Sequence, residues 1–191
     1  MPILTSALPT HFTPMQWGLI PSWAKDKRVG YKMINARSET VCEKSAFKSA
    51  IESRRCLVPM DGYYEWKKSG KTKTPYRIIV SDQDVFCMAG IWERWKSPEG
   101  ELINSFTILT QTPSESIAHI HDRMPAILSR DQESFWIDPA LSRTEALSIL
   151  SPYEDALLKA YEVSDRVGKV SENDADLILE RRDVSGQTSL F

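Results

Sequence analysis

Nothing in this chain is apolar for long enough to cross a bilayer as a helix. No run approaches the roughly 20 residues such a span needs, and the opening Met1-Pro2-Ile3-Leu4-Thr5 has neither the basic start nor the apolar stretch of a secretory signal. A cytoplasmic protein with no membrane partner is expected. Cysteine is scarce too. Cys42, Cys56 and Cys87 are an odd number at long spacings, with no Cys-x-x-Cys pair and no accompanying histidine pair, so neither a disulfide framework nor a zinc site is indicated. Reduced thiols, no metal and no cofactor are expected, with Cys87 a small buried hydrophobe inside Val85-Phe86-Cys87-Met88-Ala89. An excess of charge is also missing: the formal net charge of −2 does not announce a nucleic-acid binder and leaves only local patches. Lys67, Lys68, Lys71 and Lys73 surround Gly70, Arg54 adjoins Arg55, and Lys25, Lys27 and Arg28 follow Trp23, while acids gather from Glu172 to Asp183. The simplest reading of the lysine group is a solvated hairpin tip.

What is present suits one globular domain with a full core: 191 residues, 41% apolar and 26% charged. Pro2, Pro9, Pro14 and Pro21 argue against a continuous helix or a central strand over residues 1–23, leaving Met15–Leu19 as a candidate strand. Ser45 is a candidate cap for a helix over 46–51. Residues 56–60 and 63–66 read as strands around the Asp61-Gly62 turn signal. Three more β-rich runs follow at 76–80, 85–92 and 105–110, which predicts a largely antiparallel sheet curled toward a barrel. Short helices are expected over 115–120, capped by Ser114, and over 131–136, 144–150 and 153–159. The class is α+β without internal repeats: a single domain over 1–182 and a flexible tail over 183–191.

Several polar residues sit beside apolar runs, which is how a fold delivers them to a cleft. Glu65 alternates with Tyr64 and Trp66. It is either an exposed strand carboxylate or, packed among aromatic rings, one whose pKa rises toward the range useful for acid/base work. His121 stands where a helix gives way to the extended Met124-Pro125, and an ordinary histidine pKa of about 6.5 allows proton transfer either way. It is a cleft residue on one reading and a surface or capping residue on the other. Arg37 and Arg123 carry forks suited to phosphate, or to salt bridges with Glu39 or Asp122. Trp17, Trp23, Tyr63, Tyr64 and Trp66 offer rings for stacking unpaired bases or for the core.

In this order, Trp17-Gly18-Leu19-Ile20-Pro21-Ser22-Trp23, Asn35-Ala36-Arg37-Ser38-Glu39-Thr40, Asp61-Gly62-Tyr63-Tyr64-Glu65-Trp66 and His121-Asp122-Arg123-Met124-Pro125 resemble the SRAP family, the SOS response-associated peptidases or abasic-site processing proteins. The resemblance runs from about Trp17 to Trp136 and loosely on to Gly168. It implies the SRAP fold, recognition of abasic sites in single-stranded DNA, a monomer, and unknown replication-fork partners. It further implies that Asn35 orients substrate and nucleophile, Glu65 is the acid/base and His121 handles the deoxyribose. Arg37 and Arg123 would grip phosphates, with Trp23 beside them. In the family an N-terminal cysteine in a Met-Cys-Gly-Arg opening forms a Schiff base and then a thiazolidine with the abasic aldehyde. The same cysteine is held to release the initiator residues by self-processing peptidase activity. Here the sequence opens Met1-Pro2-Ile3-Leu4, which is expected to be an internal or shortened start. Two alternatives stay open: a non-catalytic single-stranded DNA-binding remnant, and a thiol hydrolase using Cys56 with His121 and Glu65. An iminium on an exposed Pro2, leading to strand cleavage by elimination, is a weaker variant of the first reading.

Overall fold

In the computed structural model, which describes residues 1–181, the chain opens with a hairpin of β1 (Pro2–Thr5) and β2 (Leu8–Pro14). The two-residue β3 (Gln16–Trp17), a 3-10 turn over Lys27–Lys32 and β4 (Asn35–Arg37) follow. Next come α1 (Lys48–Ser53), β5 (Arg55–Met60), β6 (Tyr63–Ser69), β7 (Thr72–Val80), β8 (Phe86–Lys96) and β9 (Leu102–Gln111). The rest consists of α2 (Glu115–Ala118), β10 (Met124–Pro125), β11 (Ile127–Leu128), α3 (Arg130–Ile137), α4 (Arg143–Ser148) and β12 (Leu158–Glu162). The expected α+β class with a curled, mostly antiparallel sheet is what forms. The tail expected over 183–191 lies outside the described residues.

Among those residues nine strands make one sheet, along the path β10-β9-β8-β5-β1-β2 with β3 and β4 on β9 and β11 on β8; β12-β7-β6 make a second. Side chains alternate across each strand, so β8 feeds two cores at once. Phe86 and Met88 face the second sheet, where Ile78 and Val80 meet them with Phe106, Ile108 and Met124. Cys87, Ala89 and Ile91 face the helices, against Leu57, Trp136 and Ala146. Burial on both faces over 86–91 is why this stretch reads as an unbroken apolar run rather than an alternating one. Where β8 crosses β5, a Cβ on Gly90 would stand 2.8 Å from the Val58 side chain and 2.9 Å from the Cys56 sulfur, so only glycine fits.

Four sequence expectations are corrected. β1 lies between β2 and β5 inside the sheet, despite its proline, because Pro2 is the strand's first residue and faces Pro14, where no ladder hydrogen bond is asked of it. The helix expected from Ser45 begins at Lys48, without a side-chain cap. Strands β5 and β6 both form as read, and the Asp61-Gly62 turn between them carries the chain from the large sheet to the small one. Residues 153–159 form only a 3-10 turn at Asp155–Leu157 before entering β12, whose Leu158 and Ala160 pack on the inter-sheet core. The helix at 115 does form, but the Ser114 hydroxyl donates to Tyr153 O at 2.6 Å instead of capping it. By contrast, α3 and α4 start with complete capping boxes, Ser129 with Gln132 and Ser142 with Glu145.

One buried cation ties the helical layer to the sheet. Arg55, 2% exposed, donates from Nε to Trp136 O (2.7 Å) and from its terminal nitrogens to the carbonyls of Ile51, Glu52, Asp138 and Leu141. It thereby satisfies carbonyls at the ends of both α1 and α3, the groups a helix C-terminus leaves unpaired. Replacing Arg55 by Met fills the space but strands these acceptors. The variant is expected to lose at least about 3 kcal/mol in urea denaturation; a loss under about 1 kcal/mol would mean that the carbonyls find other partners.

Candidate active site

The site assembles around one residue of β9. Beyond Ile108, where β8 leaves β9, residues 124–128 wedge between them: Ala126 N–H donates to Leu109 O and Ala89 N–H to Ala126 O, both at 2.8 Å. Met124 and Pro125 pair with Gln111 and Thr110 on this edge. On the opposite edge β4 runs parallel to β9, with Asn35 at Ile108 and Arg37 at Thr110. Since β4 has period two, Ala36 enters the helix-side core while Asn35 and Arg37 point to the other face. Glu65 arrives from the second sheet. Its neighbour Tyr63, two residues earlier on the same face, packs on the inter-sheet core, so Glu65 stands where that core ends.

Asn35, Arg37, Glu65, Thr110, His121, Arg123, Met124 and Pro125 line a cavity of about 250 Å³. That is below the roughly 300 Å³ at which ordinary small-molecule pockets begin, so it suits a fragment of sugar size. Five of the six residues singled out from sequence are therefore together. The sixth, Trp23, is 60% exposed and does not line the cavity. Sequence reasoning missed Thr110, which lies inside an apolar strand run and carries no local sign of a cleft. The indole N–H of Trp17 donates to Ile34 O at 2.8 Å, pinning the residue before Asn35. This approach needs Gly18 and Gly30: a Cβ on Gly18 (φ 107°) would lie 2.5 Å from Gly30 O.

The charges are arranged unequally. Burial raises the pKa of Glu65, against the opposing pull of His121, and Asp122 adds to the rise. This favours the general acid/base reading over the solvated one. The backbone N–H of Arg123 points at His121 Nδ1, 3.1 Å away. The same nitrogen also lies 3.2 Å from the Arg123 carbonyl oxygen and 3.4 Å from an Asp122 carboxylate oxygen, so Nδ1 is anchored to its own loop and Nε2 is the ring nitrogen left for a substrate. The fork of Arg123 is engaged by both carboxylate oxygens of Glu39 at 2.8 Å and by Thr110 O at 2.6 Å. That hydrogen-bonded fork holds Glu39 below the usual carboxylate range. Arg37 makes no ion pair among the described residues, leaving its guanidinium available to an anion. No cysteine lines the cavity. Cys56 is wholly buried in the inter-sheet core and its thiol is pushed up by desolvation; Cys87 is raised to about 12 for the same reason. The thiol-hydrolase reading of Cys56 is thereby overturned: its sulfur is neither ionised nor within the site.

The family model described as SOS response associated peptidase (SRAP) matches residues 1–170. "Abasic site processing protein YoqW" of Bacillus subtilis (strain 168) is 45% identical over 166 residues, spanning 86% of this chain and 74% of that protein. "Abasic site processing protein HMCES" of Gallus gallus is 37% identical over 166 residues, spanning 74% of this chain and 49% of that protein. A crystal structure of a protein from Bacteroides thetaiotaomicron superimposes with a TM-score of 0.89 at 35% identity, covering 95% of this chain and 81% of that one.

A raised carboxylate pKa has a consequence for stability. The unfolded chain ionises Glu65 more readily than the folded one, so ionisation destabilises the fold above the unfolded value of about 4.3 and costs nothing below it. Glu65→Gln is expected to raise the urea midpoint at pH 7, with the gain vanishing as the pH falls through about 4. An unchanged or lowered midpoint at pH 7 would show that the Glu65 carboxylate is not under desolvation strain.

Proposed function

The chain belongs to the SOS response-associated peptidase (SRAP) family, and from that premise we propose that it processes abasic sites in single-stranded DNA. The observation that carries the reading is the sugar-sized cavity in which a proton acceptor, Glu65, and a proton donor, His121, share walls with the unpaired cation Arg37. An abasic deoxyribose is a cyclic hemiacetal in equilibrium with its aldehyde. In the proposed step the Glu65 carboxylate takes the proton of the 1′-hydroxyl as the C1′–O4′ bond breaks, and the protonated His121 ring delivers a proton to O4′, leaving a neutral imidazole. The products are the C1′ aldehyde and a free 4′-hydroxyl, with the proton count conserved.

The remaining residues bind and orient. Asn35 offers an amide to the sugar oxygens from β4, and Arg37 takes an adjoining phosphate. Arg123, held by Glu39 and Thr110, forms a fixed wall, and contributes to phosphate binding only through donors that Glu39 leaves free. Exposed rings at Trp17 and Trp23 supply stacking surface for flanking bases. A single strand suits such a site because the lesion is already unpaired. The aldehyde is what an amine attacks to give the family's covalent DNA linkage. The described residues are assigned the steps before that attack: recognition and ring opening.

Fluorescence anisotropy and denaturing gels with an oligonucleotide carrying one abasic site test this reading. Tighter binding to the abasic strand than to the intact one is expected. Arg37→Ala is expected to weaken binding and reduce the salt slope by about 0.7, the value for one phosphate on a single strand. In a chain extended to carry the family's Met-Cys-Gly-Arg opening, Glu65→Gln and His121→Ala are expected to keep most affinity while slowing covalent capture. Equal affinity for abasic and intact strands, with no adduct from the extended chain, would overturn the proposal.

A further inference from the structure

Past the site, β6 and β7 continue as a free arm. β12 covers β7 only from Tyr76 to Val80, so Lys67, Lys68 and Ser69 pair solely with Thr74, Lys73 and Thr72. From Trp66 to Ser81 there is no acidic residue, and Lys67, Lys68, Lys71 and Lys73 all lie within the arm. None of the four forms an ion pair among the described residues. Lys68 and Lys73 are directly opposite each other on the outer face, the one away from Glu65 and Lys67, an arrangement that destabilises a hairpin unless an anion lies across it. The tip turns at Gly70 (φ 59°), with nothing within 4 Å of where its Cβ would be.

The arm's position gives that charge a direction. Along the inner face of β6, Tyr63 is in the core, Glu65 is at the cavity and Lys67 comes next, about 7 Å farther out, with the tip about 16 Å beyond Glu65. An anionic polymer with one unit held at Glu65 leaves the cavity along this edge. Lysine is depleted from protein–protein interfaces and favoured against phosphate backbones, which selects DNA over an acidic protein surface.

Resting on the function proposed above, we propose that the β6–β7 arm is a second DNA-binding site, the strand that flanks the lesion passing Lys67 on the cavity face and crossing the tip at Lys71 to reach Lys68 and Lys73 on the outer face. Binding then depends on strand length. The test uses the full chain with two oligonucleotides, each bearing one abasic site, of about five and about twenty nucleotides. Wild-type protein is expected to bind the long one at least about tenfold tighter, with a salt slope steeper by about 0.7 for each lysine engaged. In the Lys67→Gln/Lys68→Gln/Lys71→Gln/Lys73→Gln variant, checked for wild-type circular dichroism and melting, that long-to-short ratio and the extra slope are expected to collapse. The single Lys71→Gln variant at the turn serves if the quadruple one does not fold, and should remove about one lysine's share of the slope. A ratio and slope unchanged in the variants would overturn the arm and leave the cavity proposal standing. Wild-type protein that binds neither oligonucleotide would overturn both.

Discussion

The site depends on the hydrogen-bonding edges of one strand. At Thr110, β9 is flanked by Arg37 of β4 on one side and Pro125 of β10 on the other, so a single residue fixes the spacing of segments about ninety positions apart in the chain. Parallel pairing of β4 and antiparallel pairing of β10 make Asn35, Arg37 and the 121–125 loop converge without any of them belonging to a long element. Two-residue strands have no stability of their own. They hold because Ala126 bridges Leu109 and Ala89, and because Met124 is buried with the core that joins the two sheets.

The same layering sets the electrostatics. The inter-sheet core ends in Glu65, so the carboxylate inherits part of the core's low polarity, which raises its pKa and makes it a stronger base than an exposed glutamate. Arg123 shares the cavity wall, with its fork taken up by Glu39 and Thr110. His121 is held at Nδ1 by the backbone of Arg123. A carboxylate of raised pKa, a histidine anchored through Nδ1 and one uncommitted arginine are thus three results of packing. Acid/base chemistry on a small anionic substrate uses that combination.

Much of this was legible in the sequence. The residues of the β-rich core run, the short helices read over 131–136 and 144–150, and the polar residues Asn35, Arg37, Glu65, His121 and Arg123 follow from alternation, helical spacing and the four motifs. What was not legible depended on pairing between distant segments. Nothing local tells Asp61-Gly62 to change sheets rather than close a hairpin, because both outcomes need the same turn. The run 153–159 has helical spacing, yet the open edge of β7 offers Leu158 and Ala160 a buried face, and tertiary contact overrides propensity. Arg123 finds Glu39, distant in sequence, rather than its neighbour Asp122. Trp23 resembles its motif partners in sequence but sits on a surface away from the cavity.

The central claim is that this cavity opens the ring of an abasic sugar. Opening and reclosure interconvert the two anomers, so the rate is read directly by exchange NMR on a single-stranded oligonucleotide with a carbon-13 label at C1′ of the lesion. The account predicts that the protein speeds anomer exchange, and that Glu65→Gln binds the strand without doing so. Binding by the wild-type chain with exchange no faster than in free DNA would contradict it.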